Sequence, residues 1–360
     1  MTQPPVPDYP TRRKFLQHAA ATALILPSDY LVGQSTSDQP IRVAQVGTGH
    51  AHASGKWKVI QQLNEFEVVG IAEPDPNLKA QLGQAVYANA KVLTLDEILS
   101  DDSIEMVVVE TAVRDLLSVA ETCIRAGKHL HLDKPAGADL EHFKRVIQLA
   151  RHEGKQIQMG YMFRYNPAFI LCHRAIRERW LGQIFSVEAV MSKQSGDLTR
   201  QALAEFKGGT MFELGCHLID ALVWLLGAPS QVHAFERQSR ATDSLADNQL
   251  AVLEYEDALV TVRSALIEVQ GMQRRQLVLC GERGTLEVRP LEPPNVRLTL
   301  DRAAGGYPAG KHDIPMQPVP RYREDFRALA QAIRAGEPMP FDYQHDLVVQ
   351  ETVLRASGML

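Results

Sequence analysis

The stretch IRVAQVGTGHAH (41–52) constrains the fold more than any other part of the chain. An apolar run of strand length, 41–46, ends in Gly47-Thr48-Gly49, and a helix-like segment follows over 52–63. A strand that hands over to a helix returns through a crossover, so the next strand lies parallel to it. The pattern then repeats. Strands are predicted at 67–72, 104–110, 129–132 and 156–161, with helices ending at Arg125 and spanning 140–152. Such alternation implies an α/β fold, a doubly wound parallel sheet of the Rossmann type covered on both faces.

The second half reads differently. A helix over 166–180 and a strand over 184–191 precede an apolar helix over 211–226. Strand-like runs follow at 249–255, 259–267, 276–280 and 285–288. Their short connections, Glu256-Asp257 and Glu282-Arg283-Gly284, suit antiparallel hairpins. The Pro- and Gly-rich segment 290–320 is predicted as loop with one strand, and helices over 321–335 and 346–354 finish the chain. The predicted units are a leader and linker (1–40), a nucleotide-binding domain (41–162), an α+β domain (163–345) and a C-terminal helix (346–360).

The opening turn has the chemistry of a dinucleotide site. Gly47 permits the tight turn, Gly49 lets the backbone approach a pyrophosphate, and the helix start supplies amide donors and a positive dipole. Thr48 and His50 flank those glycines and are taken with them as cofactor-binding. His52 stands where a third glycine often sits, a position that mainly serves helix packing. Glu73 ends the next strand, 26 residues after Gly47, where an acid accepts hydrogen bonds from the adenosine ribose. A carboxylate there repels a 2′-phosphate, so NAD is expected over NADP. His50 and His52 read as polar groups at a helix start, and no metal is expected.

Two further stretches carry acid–base groups. In HLHLDKP (129–135) a strand ends at Asp133-Lys134-Pro135, and the C-terminal edge of a parallel sheet is where ligands bind. In GGTMFELGCHLIDALVWLLG (208–227), Glu213, His217 and Asp220 fall at i, i+4 and i+7, on one face of a helix. Val223 and Trp224 occupy the next turn of that face, so it is not a solvent stripe. These groups suit hydride transfer. Oxidising a carbinol needs a base for the hydroxyl proton, which neutral imidazole supplies, while lysine polarises the oxygen. An acid on the same face can orient the histidine.

Composition limits the alternatives. Apolar residues are 45% and charged residues 22%, the balance of a globular chain, and at 360 residues two domains are expected. The net charge of -5 offers no general attraction to nucleic acid. Cys123, Cys172, Cys216 and Cys280 lack the spacing of a zinc or redox motif and read as buried thiols. At the N-terminus, Thr11-Arg12-Arg13-Lys14-Phe15-Leu16-Gln17 precedes AAATALILP (19–27). That run is shorter than the roughly 20 residues a membrane span needs. Twin arginine before a short apolar run is the layout of a Tat export signal, which points to the periplasm; the bland alternative is a basic tail with a chance Arg-Arg. No span is expected in the mature chain.

From about Ile41 onward the chain resembles the Gfo/Idh/MocA oxidoreductases, the family of glucose-fructose oxidoreductase and inositol dehydrogenase. Asp133-Lys134-Pro135 matches the family's E-K-P, which makes Lys134 the catalytic lysine and Asp133 a cofactor neighbour. The run from Gly208 matches G-G-x-x-x-D-x-G-x-H-x-x-D, with His217 as the catalytic histidine, Glu213 in place of the assisting aspartate, and Asp220 and His217 as substrate contacts. The stretch from Gly160 to Pro167 is similar to the segment after the family's sixth strand, which brings Tyr161 toward substrate and Arg164 toward cofactor. Gly281 to Thr285 fits a late hairpin. The family's T-P-N-x-x-H segment reads Thr111-Ala112-Val113-Arg114-Asp115-Leu116, which keeps only Thr111 as a cofactor contact. The resemblance implies an open, mostly antiparallel second sheet, a homo-oligomer, and a sugar or polyol as the small-molecule substrate. Other readings are an NAD-dependent glycoside hydrolase of the same superfamily, working by transient oxidation and elimination, and a non-catalytic sugar-binding or regulatory protein.

Overall fold

A computed structural model describes residues 39–360 except Phe206 and Pro338. The twin-arginine segment lies outside the described residues. The first half builds a five-stranded parallel sheet in the order β2-β1-β3-β4-β5. Its strands are β1 (Ile41–Val46), β2 (Phe66–Ala72), β3 (Met106–Val109), β4 (His129–Leu132) and β5 (Ile157–Met159). Beyond β2, one parallel bridge from Ile71 to Val92 stands where a sixth strand would extend the edge. β3 is MVVV with every residue buried, the composition of a strand covered on both faces. Helices α1 (Ala53–Ile60), α2 (Pro76–Lys79), α3 (Leu95–Ser100), α4 (Leu116–Arg125) and α5 (Leu140–His152) connect the strands. The short α2 and α3 have no counterpart in the sequence prediction. Four-residue and six-residue segments are too short for helical periodicity to register, although Asp75 and the Thr94–Glu97 capping box mark their starts.

The second sheet has eight strands in the order β13-β12-β11-β10-β6-β9-β8-β7. All its pairs are antiparallel except β6 with β9. The strands are β6 (Ile184–Val190), β7 (Gln231–Arg237), β8 (Asn248–Glu254), β9 (Leu259–Ala265), β10 (Gln276–Gly281), β11 (Gly284–Leu291), β12 (Pro294–Leu300) and β13 (Gly310–Ile314). The segment predicted as loop with one strand therefore supplies the end of β11, all of β12 and β13. Pro293 and Pro294 lie at the β11–β12 turn, where they cost no ladder hydrogen bond. β7 was also not predicted. It is the edge strand, almost wholly exposed, and carries little apolar signal.

This half also holds helices α6 (Pro167–Arg177), α7 (Asp197–Leu203) and α8 (Cys216–Leu226); α6 packs on α8, and a π-helical turn, Met211–Gly215, lies against β9 and leads into α8. The predicted single helix over 211–226 is thus two structures. Two terminal helices follow, α9 (Arg323–Ala335) and α10 (Tyr343–Ala356). α9 returns to the first sheet, where Phe326 and Leu329 join Ile41, Val43, Met106 and Val108 in one cluster. The four cysteines are unpaired, three of them buried. Among the described residues no helix is long and apolar enough to cross a membrane.

Candidate active site

In the first sheet β1 has β2 on one side and β3 on the other, so the chain reverses its direction of travel across the sheet there. Ligands bind at the carboxyl ends of strands at such a switch point. The predicted residues converge on that edge, because β1, β3 and β4 end at Val46, Val109 and Leu132.

The turn after β1 fits a dinucleotide. Gly47 has φ of +90°, and a Cβ there would lie 2.6 Å from the Thr111 nitrogen, so only glycine lets β1 and β3 end side by side. A Cβ on Gly49 would meet Ala112 N at 3.2 Å. The amides of Gly49 and Ala51 donate to nothing among the described residues, and α1 has no acidic residue in its first turn. Thr111 is buried, with its hydroxyl unpartnered among the described residues, as a contact awaiting a ligand would be. Glu73 is held against the turn. Its Oε2 accepts from Thr48 N at 2.5 Å and Thr48 Oγ1 at 2.6 Å, and its Oε1 accepts from Asp75 N at 2.9 Å.

Behind the turn lies a buried charged cluster. Asp133 is fully buried and accepts from Lys134 N at 2.8 Å and pairs with Lys56 Nζ at 2.9 Å. Lys56 also donates to Glu110 at 2.7 Å. His50 Nδ1 lies in close contact with Asp133 Oδ2, and His52 Nδ1 is 3.3 Å from the same oxygen. Burial would raise the Asp133 carboxyl, but His50 and Lys56 hold it well below the carboxylate range. Burial lowers His52 to about 4, against the pull of Asp133, so its imidazole is neutral. The ligand atoms of His50, His52 and Asp133 lie within 4.8 Å of one another; the two histidines face Asp133 Oδ2, while Lys56 holds Oδ1. A Cβ on Gly160 would sit 2.8 Å from both Lys56 Nζ and Asp133 Oδ1, so the residue after β5 must be glycine for the bridge to form.

Lys134, fully buried, crosses from the first domain to the second. Its Nζ donates to the Glu213 carbonyl at 2.6 Å and to Glu213 Oε1 at 3.0 Å. Burial would lower this ammonium, but Glu213 outweighs it and holds the lysine above its ordinary value. Burial likewise would raise Glu213, and Lys134, with Lys193 and His50, pushes it down to about 2.

Glu213 was expected to orient His217 from one helical face. It pairs with Lys134 instead, and His217 Nδ1 is unpartnered among the described residues. The two residues lie in different structures, Glu213 in the π turn and His217 in α8, so the single regular helix predicted to carry them both is not formed. His217 is 1% exposed, and its ring stands edge-on to Tyr161 at 6.1 Å and 5.9 Å from His52. Burial lowers it well below the ordinary histidine value, with Lys134 and His52 adding, so its imidazole is neutral.

Two other predicted contacts are engaged with protein groups. Arg164 Nη2 donates to Asp220 at 2.7 Å and to Asp346 at 2.5 Å, and Asp220 Oδ1 also takes His345 Nε2 at 3.0 Å. This buried cluster, with the Arg164 guanidinium 5.0 Å from the Tyr161 ring, ties α8 to α10 one turn below His217. Sequence reasoning missed Lys56, Glu110 and Tyr322, whose ring lies 5.5 Å from Lys56 Nζ and 5.9 Å from His52. Lys56 could have been suspected, since it shares the buried face of α1 with Trp57 and Ile60.

The profile described as "Oxidoreductase family, NAD-binding Rossmann fold" matches residues 41–161, and "GFO/IDH/MocA C-terminal domain" matches 169–287. The chain belongs to the Gfo/Idh/MocA oxidoreductases. Among similar proteins, an uncharacterized oxidoreductase of Schizosaccharomyces pombe, C26H5.09c, is 26% identical over 247 residues, 67% of this chain and 64% of that protein. The match thus spans less than two thirds of that relative. Inositol 2-dehydrogenase 1 of Saccharopolyspora erythraea is 27% identical over 329 residues, 88% of this chain and 94% of that one. A solved structure of GenD2 from gentamicin A biosynthesis, in complex with NAD, shares the fold with a TM-score of 0.74 at 23% identity, covering 91% and 97% of the two chains.

Proposed function

We propose that the chain transfers hydride between a nicotinamide cofactor and a secondary alcohol of a sugar, polyol or sugar derivative. The observation that carries this is the Lys134–Glu213 pair, 3.0 Å long, bridging the cofactor edge to the turn that leads into His217. A dinucleotide held with its pyrophosphate at the Gly47 turn would supply nicotinamide as the hydride acceptor. The substrate C–H electron pair leaves as hydride, the hydroxyl proton passes to the neutral His217 imidazole, and the C=O bond forms. Lys134 donates to the oxygen throughout and steadies its developing negative charge. Glu213 keeps that lysine charged. The Glu73 carboxylate beside Thr48 favours NAD over NADP. Asp133, Thr111 and His50 border the nicotinamide end, and Tyr161 the substrate end.

The expected Tat address shapes the catalytic cycle. A periplasmic enzyme has no cytoplasmic NAD pool, so a folded, exported chain would travel with its cofactor and regenerate it in place, by coupled oxidation and reduction of two sugars or by returning the hydride to one. A homo-oligomer is part of this proposal. Lys134→Ala and His217→Ala test it on a confirmed substrate: each loses about 10²- to 10⁴-fold in hydride transfer. Unchanged transfer in both would refute the assignment, and release of an alcohol without net redox change would favour the hydrolase.

A further inference from the structure

The second domain presents two cations that the chemistry above does not use. Lys193 follows β6 and Arg275 precedes β10. These strands pair antiparallel, with Gln276 opposite Val190, so the two residues reach the same end of the sheet. That end faces the π turn. The Lys193 ammonium acts electrostatically on Glu213, Lys134 and Arg275, and the Arg275 guanidinium on Glu213 and Arg321.

Both cations are only partly compensated. Arg275 is 4% exposed, yet its one hydrogen bond among the described residues runs from Nε to the Ser192 carbonyl at 3.1 Å. Its nearest carboxylate, Glu292, is 3.9 Å away and is engaged bidentately by Arg321 at 2.6 and 2.5 Å. Half-buried Lys193 has no carboxylate within 4.0 Å among the described residues. Burial lowers both cations from their ordinary values, and at Lys193 the neighbouring Arg275 and Lys134 add to the effect. Glu213 faces Lys134, Lys193, His50 and Arg275, and Arg275 in turn faces Glu292 and Arg321. A buried, under-paired arginine beside a lysine is stable where an anion completes it, and a guanidinium fork matches a carboxylate or phosphate.

We propose that Arg275 and Lys193 form an anion subsite, so that the sugar held between Lys134 and His217 bears a carboxylate or phosphate group. This rests on the proposed site for hydride transfer and narrows its substrate to sugar acids or sugar phosphates. The test is calorimetric titration of the full-length, NAD-treated protein with D-glucuronate, D-glucose 6-phosphate and D-glucose. D-glucuronate or D-glucose 6-phosphate binds at least about tenfold tighter than D-glucose, and the tighter of the two identifies the anion. Arg275→Met and Lys193→Met each bring that sugar to within about twofold of D-glucose. Lys193→Met, at a half-buried position, keeps the test decisive should Arg275→Met fail to fold. Equal binding of all three sugars, no binding of either anion, or variants that keep the preference would overturn the proposal. NAD is titrated separately: its failure to bind would overturn the proposed redox function, whereas the sugar preference alone judges the subsite.

Discussion

The buried Lys134–Glu213 pair predicts a pH-dependent stability that one substitution exposes. Glu213 is pushed down to about 2 from the ordinary 4.5. At about 1.4 kcal/mol per pKa unit, that difference contributes roughly 3 kcal/mol to folding at neutral pH. Since the folded value is the depressed one, the contribution is complete above about pH 4.5 and is lost as pH falls through about 2. Glu213→Gln keeps the shape and removes the charge. Its urea midpoint at pH 7 therefore corresponds to a loss of roughly 3 kcal/mol, and by pH 3 the gap to wild type narrows to about half that. The assay is urea denaturation followed by circular dichroism at both pH values. Equal stability at pH 7, or a gap that does not shrink in acid, would refute the reasoning.

Three further outcomes follow from the site. Gly47→Ala, which forces a Cβ to 2.6 Å from Thr111 N at φ +90°, costs about 1–3 kcal/mol or more and abolishes NAD binding, measured by urea denaturation and NAD titration. Glu73→Ala weakens NAD and relaxes discrimination against NADP, read from the ratio of the two dissociation constants. Because burial holds His217 well below its ordinary value, the base form persists at neutral pH, so kcat/KM shows no inflection near pH 6.5 and falls only in stronger acid.

The first sheet was legible because its strands are short and largely buried, and because Gly47, Glu73 and Lys134 all sit at strand ends. Local sequence is enough for that. The π turn was not legible, since its register depends on distant packing: Met211 N donates to the Gln249 side chain at 2.7 Å, and a Cβ on Gly215 would meet Met211 Sδ at 2.5 Å. Lys193 and Arg275 were equally hidden, because only the β6–β10 pairing brings together residues 82 positions apart. β12 keeps a strand's alternation in NVRLTL, but the prolines ahead of it argued for loop. Asp220 and Arg164 matched the resemblance by position, yet their contacts, with each other, His345 and Asp346, depend on where α10 docks.

Mass spectrometry of the small molecules released when the purified, full-length protein is denatured tests the central claim most directly. Tightly held NAD or NADH in near-equal amount to protein is the predicted result. Protein that releases no nucleotide and binds added NAD only at millimolar concentration would contradict it.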